Sequence, residues 1–169
     1  SYSFETKSGA LDISNDDILE LTQQVSKLED IKKMIEDVLA LKKAYRISRI
    51  LEIILAGSIS LKASDIHLEP EDEDVRLRYR LDGVLTDILH FDTETYNLLV
   101  SRIKLISELK LNVKEKAQDG RFSIKLKDTE IEIRTSMLPG PNGESVVLRV
   151  LNPNSIAGEL DKLGIHPKL

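Results

Sequence analysis

Residues 65–89 read DIHLEPEDEDVRLRYRLDGVLTDIL. Asp65-Ile66-His67-Leu68-Glu69 alternates polar and apolar and stops at Pro70, which marks a short strand. Glu71–Asp74 is an acidic, solvated turn. Val75, Leu77, Tyr79 and Leu81 then alternate with Arg76, Arg78 and Arg80. Asp82-Gly83 is a hairpin signal, because both residue types tolerate the positive φ of a tight turn, and Val84–Leu89 returns as the partner strand. A period of two therefore governs this stretch.

Upstream the period is helical. Ser14 and Asp17 have the spacing of an N-terminal cap. Ile18, Leu21, Val25, Leu28, Ile31, Ile35 and Val38 follow at steps of three and four, with one irregular step near Leu28. The stretch 16–43 is thus one long amphipathic helix or a broken pair. Its stripe is expected to bury against its own domain rather than form a partner-helix seam. A second helix is expected over 46–60, with Ile47, Ile50, Leu51, Ile54 and Leu55 on one side and Gly57 weakening its last turn.

Downstream, Leu99, Ile103, Ile106 and Leu109 place a helix over 94–111. Gln118-Asp119-Gly120 reads as a turn. Phe122, Ile124 and Leu126 alternate, Lys127-Asp128-Thr129 turns, and Ile131 and Ile133 pair back. Pro139–Gly143 is a rigid loop, and Ser145–Leu151 reads as a strand covered on both faces, interrupted by Arg149. The order predicts an α+β domain with a largely antiparallel sheet. Residues 1–45 form an arm and helical segment, 46–151 the domain, and the Pro- and Gly-punctuated 152–169 a linker.

Composition narrows the possibilities. The chain has 169 residues, a formal charge of −5 and no Cys. Disulfide scaffolds, zinc ribbons and thiol nucleophiles are excluded. Net acidity argues against nucleic acid as a partner. Charge is uneven: 102–150 carries ten basic against seven acidic residues. Such a block suits an anionic ligand or an acidic neighbour, or is an ordinary mixed surface. No apolar run approaches the roughly 20 residues of a membrane span. The first residues have no signal-peptide pattern, and without an initiator Met a processed or trimmed chain is the expectation.

Three groups of side chains bear chemistry. Asp65, His67 and Glu69 share a strand face about 6.6 Å apart, wide for one metal ion. Hydrogen bonding or subunit contact suits them better. Arg76, Arg78 and Arg80 repel one another unless they meet acids, an anion or another chain, and Glu71–Asp74 is an internal answer. Arg121, Arg134 and Arg149 stand apart, and Arg149 in an apolar strand demands a carboxylate or phosphate; Glu144 and Glu132 are the candidate ion-pair partners. The sequence holds no Gly-x-x-x-x-Gly-Lys-Ser/Thr phosphate loop, no Gly-x-Ser-x-Gly, and no metalloprotease spacing among its three His.

Several ordered segments together resemble one family. They are Ala63–Pro70, Arg78–Leu85, Ser101–Lys104, Gln118-Asp119-Gly120-Arg121, Ile133–Pro139 and Gly143–Arg149. This set, spread over residues 46–169, is similar to the PAS-like domain that precedes the motor of type II secretion and type IV pilus-assembly ATPases. Residues 1–45 carry no such match. The resemblance implies a PAS-like fold, joined through a linker beginning near Leu163–His166 to a P-loop ATPase domain. It implies ATP and Mg²⁺ as cofactors of the longer protein and none for this chain alone, which would not hydrolyse ATP by itself.

The resemblance also assigns roles. Arg121 and Arg134 would sense the ATP γ-phosphate held by the motor domain, with Arg149 a possible third or a structural residue. Asp65, His67, Glu69, Arg78, Arg80 and Asp82 would serve subunit or domain contacts. Six subunits in a homo-hexamer would couple hydrolysis to pilin movement or protein secretion. The chain would be cytoplasmic, peripheral at the inner membrane through platform or adaptor proteins. The rival expectations are a free-standing PAS-like sensor or adaptor that binds a small ligand or another protein, and a subunit-contact module whose 16–43 helix docks on an inner-membrane platform protein. The chain departs from the family in one place. Lys114-Glu115-Lys116-Ala117 leads into Gln118 two residues short of the family's usual Arg and Pro. The placement of Arg121 rests on how that loop folds.

Overall fold

A computed structural model describes residues 13–40 and 43–151, with side chains from residue 46 in the second span. The arm before residue 13 and the linker 152–169 lie outside the described residues. In chain order the elements are α1 (Asn15–Thr22), α2 (Leu28–Leu39), α3 (Lys43–Ser60), β1 (Asp65–Pro70), β2 (Val75–Leu81), β3 (Val84–Phe91), α4 (Thr93–Ile106), β4 (Gln118–Leu126), β5 (Thr129–Leu138) and β6 (Ser145–Val150). The architecture is α+β, as the alternation of periods predicts.

The 16–43 stretch is the broken pair, and the irregular step has a local cause. Ser14 caps α1, its hydroxyl accepting from the Asp17 amide at 3.2 Å. Asp30 starts α2 by turning its carboxylate back to the amides of Ser26 and Lys27 at 2.9 and 3.1 Å. Those orphan amides of a new first turn need an acceptor. The apolar stripe is buried within the same core as α3: Ile13, Ile18, Val25, Ile31 and Ile35 are fully covered.

The helix expected over 94–111 ends at Ile106. The Leu109 amide donates to the Lys104 carbonyl at 2.8 Å and the Glu108 amide to Leu105 at 3.2 Å, with Glu108 at φ 59°. This is the left-handed helix stop that glycine usually occupies, here filled by Glu. No glycine advertised it. Asp92 caps the other end, accepting from the Thr95 amide at 3.0 Å.

The six strands form one open, wholly antiparallel sheet in the order β3-β2-β1-β6-β5-β4. Asp82 and Gly83, at φ 50° and 81°, make the expected tight turn between β2 and β3. Two expectations are corrected. Gln118-Asp119-Gly120 is not a turn but the start of β4, paired with Met137, Ser136 and Thr135. β6 is not covered on both faces: Val146, Leu148 and Val150 are buried, while Ser145 and Val147 are half-buried and Arg149 is exposed. The sheet has a core face under the helices and a polar face that no described element covers.

Candidate functional site

The polar face is ordered by register. Arg80 of β2 stands opposite Asp65 of β1, and Asp65 stands opposite Arg149 of β6. Arg149 stands opposite Arg134 of β5, which stands opposite Arg121 of β4. Directly opposed residues in an antiparallel pair point to the same side. Arg80, Asp65, Arg149, Arg134 and Arg121 therefore make a single row across five strands. With strands about 4.8 Å apart, the Arg149-to-Arg121 part spans about 10 Å. The three arginines that seemed scattered in the sequence are neighbours.

Asp65 organises one end of the row. Its carboxylate accepts from Arg149 Nε at 2.8 Å and from the Ser64 hydroxyl at 2.9 Å, and lies 3.3 Å from Arg80 Nε. Burial pushes its carboxyl up, but the bonds from Arg149 and Ser64 outweigh that and hold it below the usual carboxylate value. The expected partners of Arg149, Glu144 and Glu132, are corrected by this geometry. Glu144 is committed to Lys104 at 2.7 Å, and Glu132 sits 3.5 Å from Arg134. Arg149 is not buried either: its side chain is 65% exposed. Strand order, not sequence proximity, chose the partner.

The other end is less committed. Arg134 is 66% exposed and, among the described residues, meets only Glu132, at the long edge of hydrogen bonding. Arg121 is exposed and makes no hydrogen bond or ion pair among the described residues. Asp119, two residues before it on the same face, accepts from Ser136 at 3.0 Å instead. The least committed guanidiniums of the row are thus those on β4 and β5.

On β1 and β2 the charges are matched internally. Arg78 donates to Glu69 at 3.0 Å, and Arg76 to Glu71. Arg80 also donates to the Gly83 carbonyl at 2.9 Å. His67 lies between Arg78 and Val147, and burial holds its imidazole below its ordinary value, with Asp65 opposing and Arg80 and Arg78 reinforcing. Asp65, His67 and Glu69 do not converge as a ligand set, because Asp65 turns to Arg149 and Glu69 to Arg78. Among the described residues, one trio does come within 4.8 Å, Glu71, Asp74 and His90. It is engaged internally, with Arg76 on Glu71 and His90 Nδ1 2.9 Å from Asp74. Asp82 is exposed at its hairpin tip.

A cavity of about 500 Å³ lies away from the row, between α4 and the 140–144 loop, with Tyr96, Lys104 and Glu144 in its wall. Sequence reading gave Lys104 no role of its own and paired Glu144 with Arg149 rather than with Lys104. Glu52 on α3 was missed as well; it is buried, accepts from the Ser14 amide at 2.8 Å, and burial pushes its carboxyl up. For Lys104 and Glu52 the available signal was a charge at an apolar helix position. Among the described residues no helix is long and apolar enough to cross a membrane.

Comparison with known proteins reaches the same region from outside. The model of the family described as type II/IV secretion system protein matches residues 40–169. The type II secretion system protein E of Pseudomonas aeruginosa is 37% identical over 173 aligned residues, covering 99% of this chain and 33% of that protein. The type II secretion system ATPase E of Vibrio cholerae is 32% identical, over 89% of this chain and 29% of its own length. The type IV pilus assembly ATPase PilB of Myxococcus xanthus is 31% identical, over 88% and 25%. The chain spans a quarter to a third of these relatives. The likeness is not confined to residues 46–169, since the Pseudomonas alignment takes in the first 45 residues almost entirely.

Proposed function

Because this chain belongs to the type II/IV secretion system protein family, we propose that it is the regulatory and coupling domain of a secretion or pilus-assembly ATPase. In this reading Arg121 and Arg134 answer to the γ-phosphate of ATP. The observation that carries the reading is the arginine row on the uncovered sheet face, with its least committed end at Arg134 and Arg121. A guanidinium presents a planar fork of donors that matches a phosphoryl group's oxygens. Two such forks on adjacent strands, about 5 Å apart, suit one anion approached from the open side.

The residues present fit recognition of a phosphoryl group and not its chemistry. The sequence holds no phosphate loop to cradle a nucleotide. ATP and Mg²⁺ would be held by a separate motor domain, where the metal neutralises phosphate charge. This chain would supply two cations to the terminal phosphoryl group. Losing that group on hydrolysis removes the partner of Arg121 and Arg134, so ATP and ADP favour different dockings of this domain. Arg149, tied to Asp65, serves to complete the row rather than to reach the nucleotide. In a homo-hexamer, such movements would be passed to a cytoplasmic face of inner-membrane platform or adaptor proteins, driving pilin assembly or secretion.

The test is steady-state turnover by the ATPase that contains this chain. Arg121→Ala or Arg134→Ala is expected to lower ATP hydrolysis about tenfold or more, the scale of arginine-finger losses. Unchanged turnover in both variants defeats the assignment.

A further inference from the structure

The short loop that leads into Arg121 is held from within. Lys104, in the last turn of α4, is 1% exposed. Its ammonium donates to the Val113 carbonyl at 3.0 Å, the Leu111 carbonyl at 3.4 Å and Glu144 Oε1 at 2.7 Å. An ammonium has three donors, and all three are committed. Glu144 immediately precedes β6, and its backbone carbonyl accepts from the Tyr96 hydroxyl of α4. From the strand side, Gln118 clasps the same loop. Its amide nitrogen donates to the Lys110 and Val113 carbonyls at 3.0 and 3.2 Å, and its Oε1 accepts from the Lys110 amide at 3.0 Å. Val113 O thus takes a bond from each side. Gly120 completes the arrangement, since a Cβ there would stand 2.6 Å from the Ser107 carbonyl oxygen.

We propose that Lys104 is a positioning residue for Arg121, acting with Gln118 to fix the loop 107–117 and so the place where β4 presents its guanidinium. A buried ammonium is costly, and a well-packed apolar side chain fills a core at least as stably. What an ammonium does that an apolar group cannot is bind two loop carbonyls and the carboxylate before β6 together. One end of the tie is the segment entering β4, which carries Arg121; the other is the segment entering β6, which carries Arg149. The Lys114–Ala117 stretch is anchored at Val113 on one side and Gln118 on the other. This role rests on the reading of Arg121 proposed above.

The test uses Lys104→Met and Gln118→Leu, alone and combined with Arg121→Ala. In this 169-residue chain, hydrogen exchange of the amides in 108–118 is expected to quicken about tenfold or more in both variants, while β5 and β6 amides stay as protected as before. In the ATPase that contains the chain, each variant is expected to lower kcat about tenfold at nearly unchanged KM for ATP, the scale of a misplaced catalytic group. Added to Arg121→Ala, neither should cost more than about twofold further, because residues acting through one another are not additive. Unchanged loop exchange, or losses that multiply with that of Arg121→Ala, overturns the positioning role. Gln118→Leu, at a half-exposed site, carries the comparison if Lys104→Met does not fold. Full turnover in both Arg121→Ala and Arg134→Ala sinks the proposed function and this role with it; full turnover in Arg121→Ala alone, or loss there with normal turnover in both loop variants, sinks this role alone.

Discussion

Asp65→Asn probes the row at its pivot. The substitution keeps the side chain's size but only one oxygen: Oδ1 can still accept from Arg149, while the Oδ2 position that takes the Ser64 hydroxyl and faces Arg80 becomes an amide NH2. What it removes is the one negative charge at a row position, in line with Arg80, Arg149, Arg134 and Arg121. Two charge-assisted contacts weaken, at 2.8 Å to Arg149 and 3.3 Å to Arg80. A hydrogen bond to a charged group contributes about 1.5–3 kcal/mol when buried. Here the arginine side chains are 65% and 35% exposed and regain water, which cuts each contribution to well under half. Asn is also cheaper to bury than a carboxylate. The net expectation is a loss of about 1.5 kcal/mol in low salt.

Urea unfolding followed by circular dichroism reads this directly. With a slope near 2 kcal/mol/M, the midpoint should fall by about 0.7 M. Both the attraction removed and the arginine repulsion exposed are Coulombic. Raising NaCl from about 0.02 M to 1 M shortens the screening length to about 3 Å and should shrink the loss by about half. A midpoint within about 0.15 M of the parent in low salt, or a loss that grows with salt, would refute the account of Asp65 as the charge that holds the row together.

Acid should destabilise the fold through the same residue and through Asp92. Burial raises both carboxyls, but Arg149 and Ser64 on Asp65, and Thr95 on Asp92, hold them net below their ordinary values. Their contribution is present above about pH 4 and is lost as pH falls through the folded values; urea midpoints that stay level from pH 5 to about 2.5 would contradict it. Asp92→Ala should lose about 1 kcal/mol as a broken cap of α4, and a thermal midpoint equal to the parent's would show that the cap contributes nothing. Gly120→Ala should lose about 2 kcal/mol by overpacking, because the nearest obstacle is the backbone oxygen of Ser107, which cannot rotate away. The same urea assay tests that value, and a neutral outcome would mean that β4 and the end of α4 are not in close contact.

Much of the secondary structure was legible along the chain because its causes are local. The Asp82-Gly83 turn, the alternation from Asp65 to Leu81 and the Ser14 cap each depend on neighbours a few residues away. The misread boundaries are also local in position but not in cause. Glu108 stops α4 in a left-handed conformation that its residue type does not announce, and Gln118–Gly120 becomes strand because Met137–Thr135 lies alongside. The resemblance drawn from six ordered segments singled out Arg121 and Arg134 without any knowledge of their surroundings.

The partner of Arg149 lay beyond such reading. Asp65 is 84 residues away, and nothing in either segment states that β1 sits between β2 and β6. Register between distant strands is set by how whole apolar faces fit over the helices, so it exists only once the sheet has assembled. That assembly turned separate arginines into a row, consumed the charge at one end with Asp65, and left Arg134 and Arg121 facing outward. Side-chain types are written in the chain; which of them stand opposite one another is a property of the closed core.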